Sequence, residues 1–156
     1  MPRAPDSPAP AARTVLSFDY GLRRIGVAVG NTLTGTADAL TTVAASDGMP
    51  DWTAVDRLVA DWRPAALVAG VPYNEGGDGR LAAAALRFAG ELGERYGIEV
   101  HRVDERLTSR EAEDALRELR RSGAKSKRVR RGDVDREAAR LVLLQWLRGT
   151  GRSPGP

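Results

Sequence analysis

A chain of 156 residues holds enough apolar sequence for one hydrophobic core and is short for two. Its composition, 42% apolar and 29% charged, is that of a folded globular protein, and the absence of cysteine excludes disulfides, thiolate metal sites and thiol catalysis. A net charge of +3 decides little by itself, so the placement of charge matters more.

The first segment, MPRAPDSPAPAAR, is proline-rich and lacks the apolar core of a signal peptide; residues 1–13 are expected to form a disordered tail. Residues 150–156 read as a second, flexible tail, leaving 14–149 as one domain. No apolar run approaches the ~20 residues of a membrane helix, so no membrane partner is expected. The lack of cysteine fits a cytoplasmic location.

Val15 to Phe18 and Ile25 to Val29 are short, β-branched apolar runs on either side of a turn marked by Gly21, and predict a hairpin. Leu40 to Val43 reads as a third short strand. Pro50-Asp51 signals a helix start, and Trp52, Val55, Leu58, Val59 and Trp62 recur on one helical face until Arg63-Pro64. Ala65 to Val71 is an uninterrupted apolar run, expected as a buried parallel strand, and leads into the glycine-rich loop GVPYNEGGDG. Leu81 to Tyr96 carries the stripe Leu81, Ala85, Phe88, Leu92 and Tyr96, with Gly97 as its stop. Ile98 to Val103 alternates as a strand, and His101 within it reads as a sheet-face residue. Thr108-Ser109-Arg110-Glu111 is a capping box that opens a helix to about Arg121. Ser122 to Gly132 reads as a loop, and Asp135 to about Leu147 as the last helix. The order β-β-β-α-β-α-β-α-α predicts an α/β fold: a three-strand antiparallel meander plus parallel strands in one mixed sheet, flanked by helices.

Three acids stand at element ends. Asp19 closes the first strand, Glu105 follows the last, and Asp135 opens the last helix. Ligands of open α/β sheets gather at strand ends, and a lone carboxylate beside a core strand is costly unless paired or cation-bound. Neighbouring residues of a strand face opposite ways, so Glu105 and Asp104 cannot both join Asp19. Three carboxylates at one site call for a hard divalent cation, Mg²⁺ or Mn²⁺, able to support phosphodiester cleavage. The same acids have plainer readings: a turn cap at Asp19, a surface charge at Glu105, and an N-cap or first-turn acid at Asp135.

The blocks DYGLRRIGVAVG (19 to 30), AGVPYN (69 to 74), VDERLTSREAE (103 to 113) and VDREAARLVLLQWL (134 to 147) together resemble the YqgF family, also described as RuvX. Its members are described as Holliday junction resolvases or pre-16S rRNA nucleases. The resemblance implies an RNase H-like fold and a cytoplasmic, divalent-metal-dependent endonuclease acting in 5′-end maturation of ribosomal RNA. It places the family's catalytic and metal-binding acids on Asp19, Glu105 and Asp135. Arg24 falls in its glycine-and-basic turn with Gly21 and Gly26; Gly70, Pro72 and Asn74 match its G-[LV]-P-x-N loop; Arg106 and Thr108 match its D-E-R-L-T block. Where relatives often carry a small residue after the last aspartate, this chain has Arg136, placed to crowd or neutralise Asp135.

Arg120, Arg121, Lys125, Lys127, Arg128, Arg130 and Arg131 form a dense basic stretch without an acid. Such a stretch neutralises phosphates and favours backbone recognition over base readout. The expected partner is nucleic acid, pre-rRNA ahead of branched DNA, bound by a monomer or homodimer; resolving a four-way junction symmetrically needs two sites. Two other functions fit parts of the pattern. One is a nucleic-acid-binding factor without catalysis. The other is a sugar-kinase-like phosphotransferase, for which the chain is short.

Overall fold

The computed structural model describes residues 13–72, 79–105, 117–118, 121 and 131–149. Its strands are β1 (Thr14–Asp19), β2 (Arg24–Asn31), β3 (Thr36–Ser46), β4 (Met49–Pro50), β5 (Ala66–Val71) and β6 (Glu99–Asp104); its helices are α1 (Trp52–Trp62), α2 (Arg80–Tyr96) and α3 (Arg131–Gly149). They build a six-stranded sheet in the order β4-β3-β2-β1-β5-β6. β1 to β4 pair antiparallel as a meander, while β5 lies parallel to β1 and β6 parallel to β5. The predicted mixed sheet is therefore present, with β1 at the junction of its antiparallel and parallel halves.

Side chains alternate across a strand, so each strand feeds two cores. Leu16, Phe18, Ile25, Val27, Leu67 and Val71 pack with Val55 of α1 and with Ala85, Phe88 and Leu92 of α2. Phe88 centres an aromatic group there, 5.7 Å from Phe18, 5.3 Å from Tyr20 and 5.7 Å from Trp52 between ring centres. The opposite face sends Val15, Ala28, Val68 and Val103 against Ala139, Val142, Leu143, Trp146 and Leu147 of α3. Small residues let that helix lie close: Gly26, Ala28 and Gly30 form its track on β2. The ring of His101 lies 5.0 Å from that of Trp146, which makes it a sheet-face residue as expected.

Several boundaries differ from the sequence expectation. β3 extends well beyond Leu40 to Val43, because its polar ends are held by pairing along the whole of β2 rather than by burial. Pro50 closes the short strand β4, and Asp51 alone caps α1, accepting from the Ala54 amide. Trp62 is 40% exposed and leaves the apolar face to Trp52, Val55, Leu58 and Val59. α3 begins at Arg131, so Asp135 sits beyond the first turn and does not cap the helix. Asp133 supplies the first-turn acid and pairs with Arg136, and these favourable end charges extend the helix past its apolar stripe. Of the expected helix from Thr108, residues 117–118 and 121 are described and are helical; the rest of it, the loop 73–78 and both tails apart from Arg13 lie outside the described residues.

A polar clamp joins α1 to α2. The Arg95 guanidinium donates to both Asp56 oxygens (2.8 and 3.0 Å), and the Tyr96 hydroxyl donates to the same carboxylate at 2.5 Å. Arg95 also lies 5.0 Å over the Trp52 ring. The hydrogen bond from Arg95, then that from Tyr96, hold the Asp56 carboxyl at about 2, below its ordinary 3.8. A depressed carboxyl pKa stabilises the fold above the unfolded value and loses that effect as pH falls through the folded value. Asp56→Asn is therefore expected to melt below the parent at neutral pH, with the gap closing between about pH 4 and pH 2. Thermal melts across that range check it; a gap independent of pH would remove the carboxylate from the explanation.

Candidate active site

Asp19 ends β1 at the sheet's carboxyl rim, directly opposite Gly26 of β2 on one side and Gly70 of β5 on the other. Residues paired in this way share a face. For Asp19 that is the α3 face: two residues earlier, the buried Ser17 hydroxyl donates to the Ala139 carbonyl of α3 at 3.0 Å.

The two glycines flanking Asp19 each receive another of the three acids. A Cβ on Gly70 would stand 2.6 Å from Glu105 Oε2 and 3.2 Å from its Cγ, so the missing side chain is what lets that carboxylate lie over β5. A Cβ on Gly26 would stand 1.9 Å from the backbone carbonyl oxygen of Asp135, so the helix backbone itself rests on β2 at that point. Adjacent strands lie about 4.8 Å apart. The three acidic residues are thus set on three neighbouring strands along one cross-sheet row, Asp19 in the centre.

Their carboxylates are not equally placed. Glu105 Oε2 is a buried atom on the row. The Asp135 carboxylate instead accepts from Arg24 Nε at 2.7 Å, a half-buried ion pair with side chains 24% and 35% exposed. Arg136, expected to neutralise Asp135, pairs with Asp133; the neutralising cation is Arg24, 111 residues away in sequence. Among the described residues no three acidic, histidine or cysteine side chains converge closely enough to hold a metal ion.

The donor set still suits a hard cation. The carboxylates beside the row offer only oxygen, and the cradle over Gly70 brings that of Glu105 onto the strand adjoining Asp19. Asp135 shares its carboxylate with Arg24 through Oδ2.

Of the other expected site residues, Gly70 lies under Glu105 and Pro72 is buried just past β5. Asn74, Arg106, Thr108, Lys125, Lys127, Arg128 and Arg130 lie outside the described residues. Within the basic stretch Arg121 pairs with Glu118 at 2.8 Å, both 65% exposed, an arrangement worth little in water. Two roles were not anticipated. Ser17 ties α3 to the strand bearing Asp19, and its signal was a hydroxyl within an apolar run, two positions before the acid. Gly26 acts as the seat of α3 at Asp135, which no local pattern announces.

Comparison with known proteins places this geometry in a lineage. A family model described as "RuvX: Holliday junction resolvase" matches residues 13–149. A protein of Azotobacter vinelandii named "Putative pre-16S rRNA nuclease" is 46% identical over 137 residues, covering 86% of this chain and 93% of the relative. A Pseudomonas putida protein of the same name is 43% identical over 136 residues, covering 86% and 94%. One from Yersinia pestis is 42% identical over 138 residues, covering 88% and 96%. Among solved structures, Thermus thermophilus RuvC in complex with a Holliday junction substrate superposes with a TM-score of 0.54 at 18% identity, covering 86% of this chain and 93% of that one. A second T. thermophilus RuvC structure gives a TM-score of 0.51 at 16% identity. The expected RNase H-like fold is the one the chain adopts, and at these identities and coverages the chain belongs to the RuvX family.

Proposed function

We propose that the chain is a divalent-metal-dependent endonuclease that hydrolyses phosphodiester bonds in precursor 16S rRNA during 5′-end maturation, in the cytoplasm. The observation that carries this reading is the row Gly26–Asp19–Gly70, with Asp135 seated on one glycine and Glu105 on the other. Asp19 and Glu105 would hold Mg²⁺ or Mn²⁺, with Asp135 joining once its side chain turns from Arg24. When bound, a divalent cation supplies positive charge that acidifies water and offsets the charge of the reacting phosphodiester.

The remaining work falls to the chain's own groups. The pairing of β1 with β5 sets Asp19 beside the Gly70 cradle of Glu105, and the Ser17–Ala139 hydrogen bond keeps α3 against the sheet. Arg24, at the start of β2 on the same face as Gly26, offers a guanidinium to a phosphate oxygen. Contacts of this kind orient a nucleic-acid backbone without reading its bases. RNA is favoured over branched DNA because the relatives at 42–46% identity carry the pre-16S rRNA nuclease name, whereas the junction-bound RuvC is 18% identical.

The test is incubation with precursor 16S rRNA and with a four-way DNA junction, each with Mn²⁺ and with EDTA. Cleavage near the mature 5′ end in Mn²⁺ alone, with the junction intact, is expected. Junction cleavage with intact RNA would overturn the substrate assignment. Binding without cleavage of either would leave a non-catalytic nucleic-acid-binding factor.

A further inference from the structure

Resting on that reading, we infer that Arg24 is a positioning residue that exchanges partners: it holds the Asp135 carboxylate until a nucleic-acid phosphate takes the guanidinium, and only then is Asp135 released to the cation site. The backbone of Asp135 is seated on β2, with its carbonyl in the space a Gly26 side chain would fill. Side-chain rotation moves its carboxylate without disturbing that seat. Gly26 lies directly opposite Asp19 in register and two residues from Arg24 on the same strand face. A carboxylate anchored above Gly26 therefore has two alternative neighbours: the guanidinium along the strand, and the Asp19 position across it.

In the present arrangement it has chosen the guanidinium, at 2.7 Å. A cation that recruits Asp135 competes with this guanidinium for the carboxylate. An incoming phosphate offers Arg24 an equivalent acceptor and removes that opposition. The two events are then coupled, and coupling in binding is reciprocal: RNA tightens cation binding by the factor by which the cation tightens RNA binding. The protein would thus assemble its full set of acids only beneath a bound backbone, so a loaded site without substrate would be disfavoured.

The experiment measures Mn²⁺ binding to the full chain by electron paramagnetic resonance of the free ion. It is run with and without an uncleavable 2′-O-methyl RNA oligonucleotide, whose own Mn²⁺ uptake is subtracted. In the parent protein the oligonucleotide should tighten Mn²⁺ binding by about fivefold or more. In Arg24→Gln the protein alone should already bind at the tightened level, and the oligonucleotide should add nothing. A metal-free arm stands independently: in EDTA, Asp135→Asn should bind the oligonucleotide more tightly than the parent, because Arg24 is released, and Arg24→Gln should bind it less tightly. Unchanged or weaker Mn²⁺ binding in Arg24→Gln, with Asp19→Asn clearly weakened, would overturn the exchange while keeping the metal site. Unchanged Mn²⁺ binding in Asp19→Asn would overturn the metal reading itself.

Discussion

Asp19→Asn is expected to lower metal-dependent cleavage by about 10²–10³-fold or more, the loss typical of removing one preorganised charge-stabilising group, while the fold persists. The substitution is isosteric. It removes a negative charge from the centre of the row and leaves the β1 pairing with Gly26 and Gly70 intact. Asp19 lies at the strand end and is only partly buried, so the stability change should stay within about 1 kcal/mol. Glu105→Gln should behave alike in activity, since it places an amide where a carboxylate lies over Gly70. Single-turnover cleavage in Mn²⁺ with circular dichroism of the same samples checks both. Parent-like cleavage by folded Asp19→Asn would mean that the chemistry lies elsewhere on the chain.

Much of the arrangement behind this expectation is readable from the residues, and the unreadable part has a common cause. The strands were legible because β1, β2 and β5 are buried on both faces, which forces short continuous apolar runs bounded by turns. α2 was legible because its stripe is strictly helical and Gly97 ends it in the left-handed conformation. Asp19 and Glu105 stood out as acids at strand ends; strand alternation said only that Asp104 and Glu105 cannot both share the face of Asp19, and the cradle over Gly70 shows that Glu105 is the one that does. What stayed hidden depends on approach between distant segments. The position of Asp135 beyond the first turn of α3, its ion pair with Arg24, and the seat on Gly26 all arise where the helix meets β2. An arginine beside an aspartate in sequence, Arg136 after Asp135, was the visible candidate for neutralisation. On a helix, though, neighbours in sequence point apart, and Arg136 reaches the acid three positions back.

The two glycines of the row should fail in different ways when given a side chain. In Gly26→Ala the new methyl would meet the Asp135 carbonyl oxygen at 1.9 Å and its carbon at 2.4 Å. Both atoms belong to helix backbone, so nothing small can yield; α3 must lift from β2. That loosens Ala139, Val142 and Leu143, all buried, and pulls on the Ser17 hydrogen bond. Overpacking of this severity should cost about 3 kcal/mol, a fall of about 10 °C in melting temperature, with cleavage lost as Asp135 leaves the rim. In Gly70→Ala the nearest atom is the end of the Glu105 side chain at 2.6 Å, followed by a Val142 methyl at 3.0 Å. A carboxylate can swing away, so the stability change should be nearer 1 kcal/mol, yet cleavage should fall as far as in Glu105→Gln. Thermal melts and single-turnover rates on the pair separate the helix seat from the carboxylate cradle. Full activity in Gly70→Ala would show that Glu105 works from somewhere other than above β5, and an unshifted melt in Gly26→Ala would show that α3 does not bear on the sheet at Asp135.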